Sequence, residues 1–218
     1  MPGLAAIAAA AAAEGLTLLG AFHPAAEDRA PPGTGTLVLL GPDAAGFWDR
    51  FRAGREVRDG AGDPLDRWSA RVVGGLAERL GAAAVFPFGG PPWAPFTAWA
   101  RLSGEAWESP VGLLVHARLG LFVSYRGALA LRERLDLPPR GSRPCDVCAA
   151  PCRSACPVGA LGGGGYDVAS CHRFLDGAPG RDCLDRGCAV RRACPVGADL
   201  RPEAQSAFHM RDFHGKRS

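Results

Sequence analysis

An α+β fold in two parts is predicted: a mixed helix–strand domain over residues 1–139, then a small cysteine-rich domain over 140–218. Three observations carry this. All eight cysteines lie between Cys145 and Cys194, and the first 144 residues hold none. Before them, helical periodicities and short apolar runs succeed one another. At Pro138-Pro139-Arg140-Gly141 the texture then changes to short segments rich in glycine and cysteine, as in small domains where metal replaces much of the core. Apolar residues make up 47% of the 218 and charged residues 22%, enough for a packed core and unlike a disordered chain.

The elements follow in order. Leu4 to Glu14 is alanine-rich and reads as a helix, stopped by Gly15. Leu16 to Phe22 reads as a strand, and Thr36 to Leu40 as a short buried one. Ala44 to Arg55 reads as a helix carrying Phe47, Trp48 and Phe51. The clearest helix opens with Asp63 as N-cap and Pro64 at its first position, with Asp66 favouring the positive helix end. Leu65, Trp68, Val72, Val73, Leu76 and Leu80 then recur at helical spacing, and Gly81 ends it. Ala83 to Phe88 reads as a strand, Gly89 to Trp93 as a loop, and Phe96 to Leu102 as a helix. Val111 to His116 and Leu119 to Tyr125 read as adjacent strands joined by a tight turn. Gly162 to Gly165 reads as a flexible connector.

The alanine run near the start has no basic segment before it and no clear cleavage site after it, so it does not read as a secretory signal. No apolar stretch is long enough to span a bilayer. A cytoplasmic chain without membrane attachment is expected. In that reducing setting clustered cysteines point to metal rather than disulfides.

The cysteine spacing is Cys145-x2-Cys148-x3-Cys152-x3-Cys156-Pro157, then Cys171, then Cys183-x4-Cys188-x5-Cys194-Pro195. Both groups end in Cys-Pro-Val-Gly-Ala, at 156–160 and 194–198, a short internal repeat. Bacterial ferredoxins use C-x2-C-x2-C-x3-C-P, in which the fourth cysteine ligates the other cluster; here the second gap is one residue longer. By that crossed logic Cys145, Cys148, Cys152 and Cys194 would hold one 4Fe–4S cluster, and Cys156, Cys171, Cys183 and Cys188 a second. Zinc sites usually show two C-x2-C pairs, and one is present.

From Arg140 onward the chain has 12 Lys/Arg against 8 Asp/Glu, whereas residues 1–139 have 13 against 14. A basic lobe suits nucleic acid, but two oxidised clusters with four thiolates each carry about −2 apiece. Arg143, Arg153, Arg186, Arg191 and Arg192 therefore read mainly as balance for that charge, and nucleic acid is not the expected partner. Paired clusters relay single electrons, which calls for a donor protein outside and an acceptor inside.

Cys145-Asp146-Val147-Cys148, Cys156-Pro157-Val158-Gly159-Ala160-Leu161, Tyr166-Asp167-Val168 before Cys171, and Gly187-Cys188 before Cys194-Pro195-Val196-Gly197 resemble the dicluster module of the epoxyqueuosine reductase family. Reductive dehalogenases dependent on cobalamin are related more loosely. Gly15 to Phe22 resembles the start of those reductases. Thr36 to Leu40, Asp63 to Asp66 and Gly112 to Gly127 resemble the decyanase/dealkylase proteins that process cobalamin. The resemblance implies a nitroreductase-like α+β domain that binds a corrinoid or a flavin, followed by a ferredoxin-like domain with two 4Fe–4S clusters. It also implies the same crossed cysteine pairing. Two departures count against epoxyqueuosine chemistry: Phe88-Gly89-Gly90 lacks the family's acidic proton donor, and no tRNA-binding repeat segment follows the clusters in this sequence.

For the acceptor, His23, His116, His172, His209 and His214 are the histidines available to a corrinoid cobalt, each more simply read as structural. His23 precedes Pro24 at a strand end, where pockets open. Trp93, Phe96 and Trp99 form either a face for a flat macrocycle or ordinary core. Arg118 and Arg126 would meet phosphate or propionate groups, or solvent. No catalytic residue is assigned.

Overall fold

The computed structural model describes residues 3–162, 165–200 and 202–216. In chain order it runs α1 (Leu4–Ala13), β1 (Leu16–Phe22), β2 (Thr36–Pro42), α2 (Phe47–Ala53), α3 (Arg55–Arg58), α4 (Pro64–Leu80), β3 (Ala83–Val85) and α5 (Phe96–Leu102). Then come β4 (Ala106–Glu108), β5 (Leu114–His116) and β6 (Gly127–Leu131). Last are β7 (Leu161–Gly162), β8 (Gly165–Tyr166), α6 (Val168–Asp176), α7 (Arg181–Arg186), α8 (Ala189–Arg192) and α9 (Glu203–Gly215). The mixture is α+β, and the chain forms two compact units: residues 1–105 with 124–141, and residues 106–123 with 142–218.

The first unit is built on an antiparallel sheet in the order β1-β2-β6-β3. The order explains the sequence pattern. Strand β2 lies inside the sheet, so Thr36 through Gly41 are buried on both faces and the run is apolar without alternation. Strand β6, its neighbour, is buried along its whole length. α1 ends on Gly15 at φ 76, a left-handed position suited to glycine. α4 buries Leu65, Trp68, Val72, Val73 and Leu76, the predicted face, and Gly81 at φ 64 closes it.

The departures have local causes. Asp63 itself adopts φ 48, and its side chain does not cap α4. The predicted helix 44–55 starts later, because Asp43 Oδ2 accepts from the amides of Ala45 and Gly46. It also breaks at Gly54, where a Cβ would meet Trp68 and the Glu56 carboxylate within about 3.1 Å. β3 stops at Val85, and Phe86 and Phe88 instead stack on each other at 5.1 Å.

The largest difference concerns 106–125. Of the expected strand 111–116 only Leu114–His116 is extended, paired with β4. The tight turn exists, as an antiparallel bridge between His116 and Gly120. Leu119 to Tyr125 does not continue as a strand: Gly120 is left-handed at φ 52, and the Phe122 amide turns back onto the Leu119 carbonyl. The division at 139/140 assigns 106–123 to the amino-terminal domain, whereas in the structure this stretch packs within the second unit. Val111, Val115 and Leu121 are apolar because they bury against Cys152, Leu161, Val190 and Cys194 there.

The second unit consists of short elements. Leu161–Gly162 and Gly165–Tyr166 pair as an antiparallel hairpin, so the ends of the expected connector are ordered; Gly163 and Gly164 lie outside the described residues. α7 packs on α9, and Gly187, at φ 88, faces Ser206 too closely to carry a Cβ. Among the described residues no helix is long and apolar enough to cross a membrane.

Candidate metal centre

All eight cysteines are free thiols in the second unit, with Cys152, Cys183 and Cys194 buried and the others half-buried. Short turns put them there. Cys145 and Cys152 sit in the single 3-10 turns Pro144–Val147 and Pro151–Ser154, each opened by a proline that fixes φ. Cys171 is in the first turns of α6, whose start is capped by the Asp167 carboxylate accepting from the Ser170 amide at 2.9 Å. Cys183 is on α7, Cys188 precedes α8, and Cys194 follows it.

The electrostatic influences among the thiols form two sets of four. Burial pushes the Cys145 thiol up; Arg143 opposes this, and Cys148, Cys152 and Cys194 add to it. Burial also raises Cys152, with Cys194 and Cys148 adding and Arg153 opposing. Burial raises Cys171 as well, with Cys188, Cys156 and Cys183 adding and the Tyr166 hydroxyl opposing. Cys183 is raised by burial and Cys188, against Arg192. The side chains that feel one another electrostatically are thus 145, 148, 152 and 194 on one hand, and 156, 171, 183 and 188 on the other. Each foursome combines residues from both ends of the cysteine region.

The surroundings of both are apolar. Cys152 and Cys194 are buried with Val111, Val115, Leu121, Leu161 and Val190, and Cys145, Cys156 and Cys188 pack against that group. A small cavity is walled by the four sulfur-bearing residues Cys156, Cys171, Cys183 and Cys188, together with Leu175, Met210 and Phe174. Leu161 and Val190 border both places, forming an apolar partition between them. Donors reach the sulfurs from the Ala150 amide to Cys148 Sγ at 3.3 Å, the Ala160 amide to Cys156 Sγ at 3.2 Å and the Tyr166 hydroxyl to Cys171 Sγ at 3.3 Å, and the backbone at Cys152 and Ala189 lowers the pKa of Cys152 and Cys183.

The repeated Cys-Pro-Val-Gly segments adopt one backbone form, with Gly159 at φ 64 and Gly197 at φ 67. Their environments differ. A Cβ on Gly159 would meet nothing within 4 Å, whereas one on Gly197 would come to 2.8 Å from the Arg118 carbonyl and 2.9 Å from Leu119 Cα. Gly120 in the same turn approaches Cys194 closely enough that a Cβ would lie 2.7 Å from its Sγ. The turn 116–120 is therefore pressed onto the Cys194 segment.

Four thiolates around one zinc ion, at Zn–S of about 2.3 Å, stand about 3.8 Å apart. Among the described residues no group of three or more His, Cys, Asp or Glu side chains is arranged for a single ion. Thiols in apolar walls with amide donors to sulfur are the donor chemistry that a 4Fe–4S cluster takes.

Of the predicted balancing arginines, Arg143, Arg153 and Arg192 each lower the pKa of a cysteine thiol, at 145, 152 and 183. Arg191 donates to the Leu121 carbonyl; burial lowers its pKa, and Cys188 and Tyr166 oppose that. Arg186 departs from the expectation, being engaged by Asp182 at 3.3 Å and Glu203 at 3.4 Å.

The acceptor candidates separate. Phe96 and Trp99 are core, Trp99 fully buried with its indole donating to the Asp28 carbonyl at 2.7 Å, while Trp93 is 58% exposed. They share no common face for a macrocycle. His116 is buried, and its Nδ1 accepts from the Arg118 amide at 3.1 Å, so it organises the turn. His214 meets His172 at 3.3 Å and Asp176 at 3.2 Å. Arg126 pairs with Asp66 at 3.5 Å, and Arg118 is exposed. His23, as expected of its strand end, lines a cleft of about 550 Å³ in the first unit with Asp28, Ser103, Arg134, Asp136 and Arg140.

No family model, curated protein or solved structure matches this chain.

Two contributors escaped the sequence reading. The packing of the expected turn 116–120 and its apolar neighbours against Cys152 and Cys194 is one, and its signal is the pair of glycines at 112 and 120 bracketing Val115 and His116. The helix α9, which brings Met210 and Phe213 to the second foursome, has no strong apolar stripe to announce it.

Proposed function

We propose that this protein is an iron–sulfur oxidoreductase that relays single electrons through two 4Fe–4S clusters in its second unit. The observation that supports the reading is that Cys156, Cys171, Cys183 and Cys188 wall one small apolar cavity, while Cys145, Cys152 and Cys194 gather in an apolar cluster beside it. Cys145, Cys148, Cys152 and Cys194 would hold the first cluster; Cys156, Cys171, Cys183 and Cys188 the second. A bound cluster supplies reversible one-electron chemistry. The chain's own residues set its terms: apolar walls limit water, the amides of Ala150 and Ala160 donate to sulfur, and Arg143, Arg153 and Arg192 offset negative charge.

The acceptor in this proposal is a corrinoid, or else a flavin, on the first unit, with reduction or processing of cobalamin as the activity. The resemblance to epoxyqueuosine reductases and cobalamin-processing proteins suggests it, and the cleft beside His23 has room for a flavin ring or part of a corrinoid. A nitroreductase-like first domain and a ferredoxin-like second domain belong to the same proposal. A second reading, an electron carrier without a further cofactor, is favoured by the burial of Phe96 and Trp99 in the core.

Anaerobically reconstituted protein should contain about eight iron and eight sulfide per chain and give the EPR signals of two reduced clusters. A colourless protein without sulfide refutes the cluster reading. Added cobalamin should shift its corrin absorption on binding; clusters that cycle while neither cobalamin nor flavin binds select the carrier.

A further inference from the structure

The two foursomes differ in one respect that the cysteine pattern does not contain. The first receives backbone amide donors at Cys148 and Cys152. The second receives backbone amide donors at Cys156 and Cys183 and, besides, a side-chain hydroxyl: Tyr166 Oη donates to Cys171 Sγ at 3.3 Å. The tyrosine is held for this. It lies on the short strand β8, paired with Leu161, and its ring stacks on Phe213 of α9 at 5.8 Å and 21°. The Asp167 amide, next in the chain, donates to the Ala160 carbonyl. Arg191 stands in the same neighbourhood, close enough for Tyr166 and Cys188 to act on its charge.

We infer that Tyr166 is a positioning residue that raises the reduction potential of the second cluster relative to the first. This rests on the two-cluster reading above. Each cluster accepts one electron without a bond being made or broken, so its charge becomes more negative by one. A hydrogen bond to a ligand sulfur stabilises the more negative, reduced form. Among the described residues no side-chain hydroxyl donates to a sulfur of the first foursome, so the electron comes to rest preferentially on the second.

The test is a redox titration with dithionite, followed by EPR, on the full chain and on Tyr166→Phe. The variant keeps the ring and its contact with Phe213 and removes one hydroxyl. Iron and sulfide content should be unchanged. One midpoint potential should fall by about 59 mV, a tenfold change in a one-electron equilibrium, with the other unmoved. Two unmoved potentials, or two that move together, overturn the inference. Should Tyr166→Phe not take up clusters, the wild-type chain is labelled with 3-fluorotyrosine. Only Tyr125 and Tyr166 are replaced, and the more acidic hydroxyl should raise one potential; no rise overturns the inference. Failure of the unaltered chain to bind iron and sulfide refutes the underlying cluster reading instead.

Discussion

Gly159 and Gly197 provide an internal comparison. They occupy the same place in two copies of Cys-Pro-Val-Gly, at φ 64 and φ 67. Replacement by alanine imposes the same left-handed penalty on each, about 1–2 kcal/mol. What differs is space. A Cβ at 159 meets nothing within 4 Å, while one at 197 presses at 2.8 Å on the Arg118 carbonyl and 2.9 Å on Leu119 Cα, both backbone atoms that cannot rotate away. Overpacking of this kind costs about 1–3 kcal/mol. Gly197→Ala should therefore be less stable than Gly159→Ala by that amount. With a urea dependence of about 1–3 kcal/mol/M, its midpoint should fall roughly 1 M below its counterpart's. Because Cys194 lies three residues before Gly197, that variant should also lose iron from the first cluster preferentially. Urea titration by circular dichroism, with iron analysis, provides both readouts. Equal midpoints, or a lower one for Gly159→Ala, would refute the reasoning that the 116–120 turn is wedged against the Cys194 segment.

Cys152→Ser and Cys194→Ser should each remove about half of the iron, and the double variant no more than either alone; Cys156→Ser combined with Cys194→Ser should remove nearly all, as counted by iron analysis and EPR. Glu56 is buried and held by Arg71 at 2.6 and 3.0 Å, which lowers its pKa from 4.5 to about 2. Its folded form binds fewer protons than the unfolded chain in that window, so its contribution is complete above about pH 5 and is lost as pH falls toward 2. Arg71 is partly exposed and screened, so about 1 kcal/mol is expected, and Glu56→Gln should flatten the acid limb of stability between those values. Trp99→Ala should cost about 3–5 kcal/mol in thermal or urea unfolding, as for a fully buried core ring, whereas Trp93→Ala at the exposed loop should change stability by less than about 0.5 kcal/mol.

Legibility in the sequence followed locality. β1, α4 and α5 were readable because each is specified by residues within one turn or one strand: a pair of stops at Gly15 and Gly81, an apolar face from Leu65 to Leu76. β6 was not, since Gly127-Ala128-Leu129-Ala130-Leu131 sets two leucines among glycine and alanine, residues depleted in strands; pairing between β2 and β3 makes it a strand. The proposed grouping of the thiols comes from spacing, because ligand geometry is tied to short loops. The apolar residues around them were opaque. Val111, Val115 and Leu121 read as strand core, and only the three-dimensional path shows that they cover Cys152 and Cys194.

That path governs how the molecule can be divided. Cutting the gene at the proline-rich junction near 139 would yield a cysteine module stripped of Val111, Val115 and Leu121 and of the loop that buttresses Cys194. Such a fragment carries every cysteine yet opens Cys152 and Cys194 to water and oxygen, so under the two-cluster proposal its first cluster should decay faster in air than its second. A faithful excision has to splice 106–123 onto 142–218.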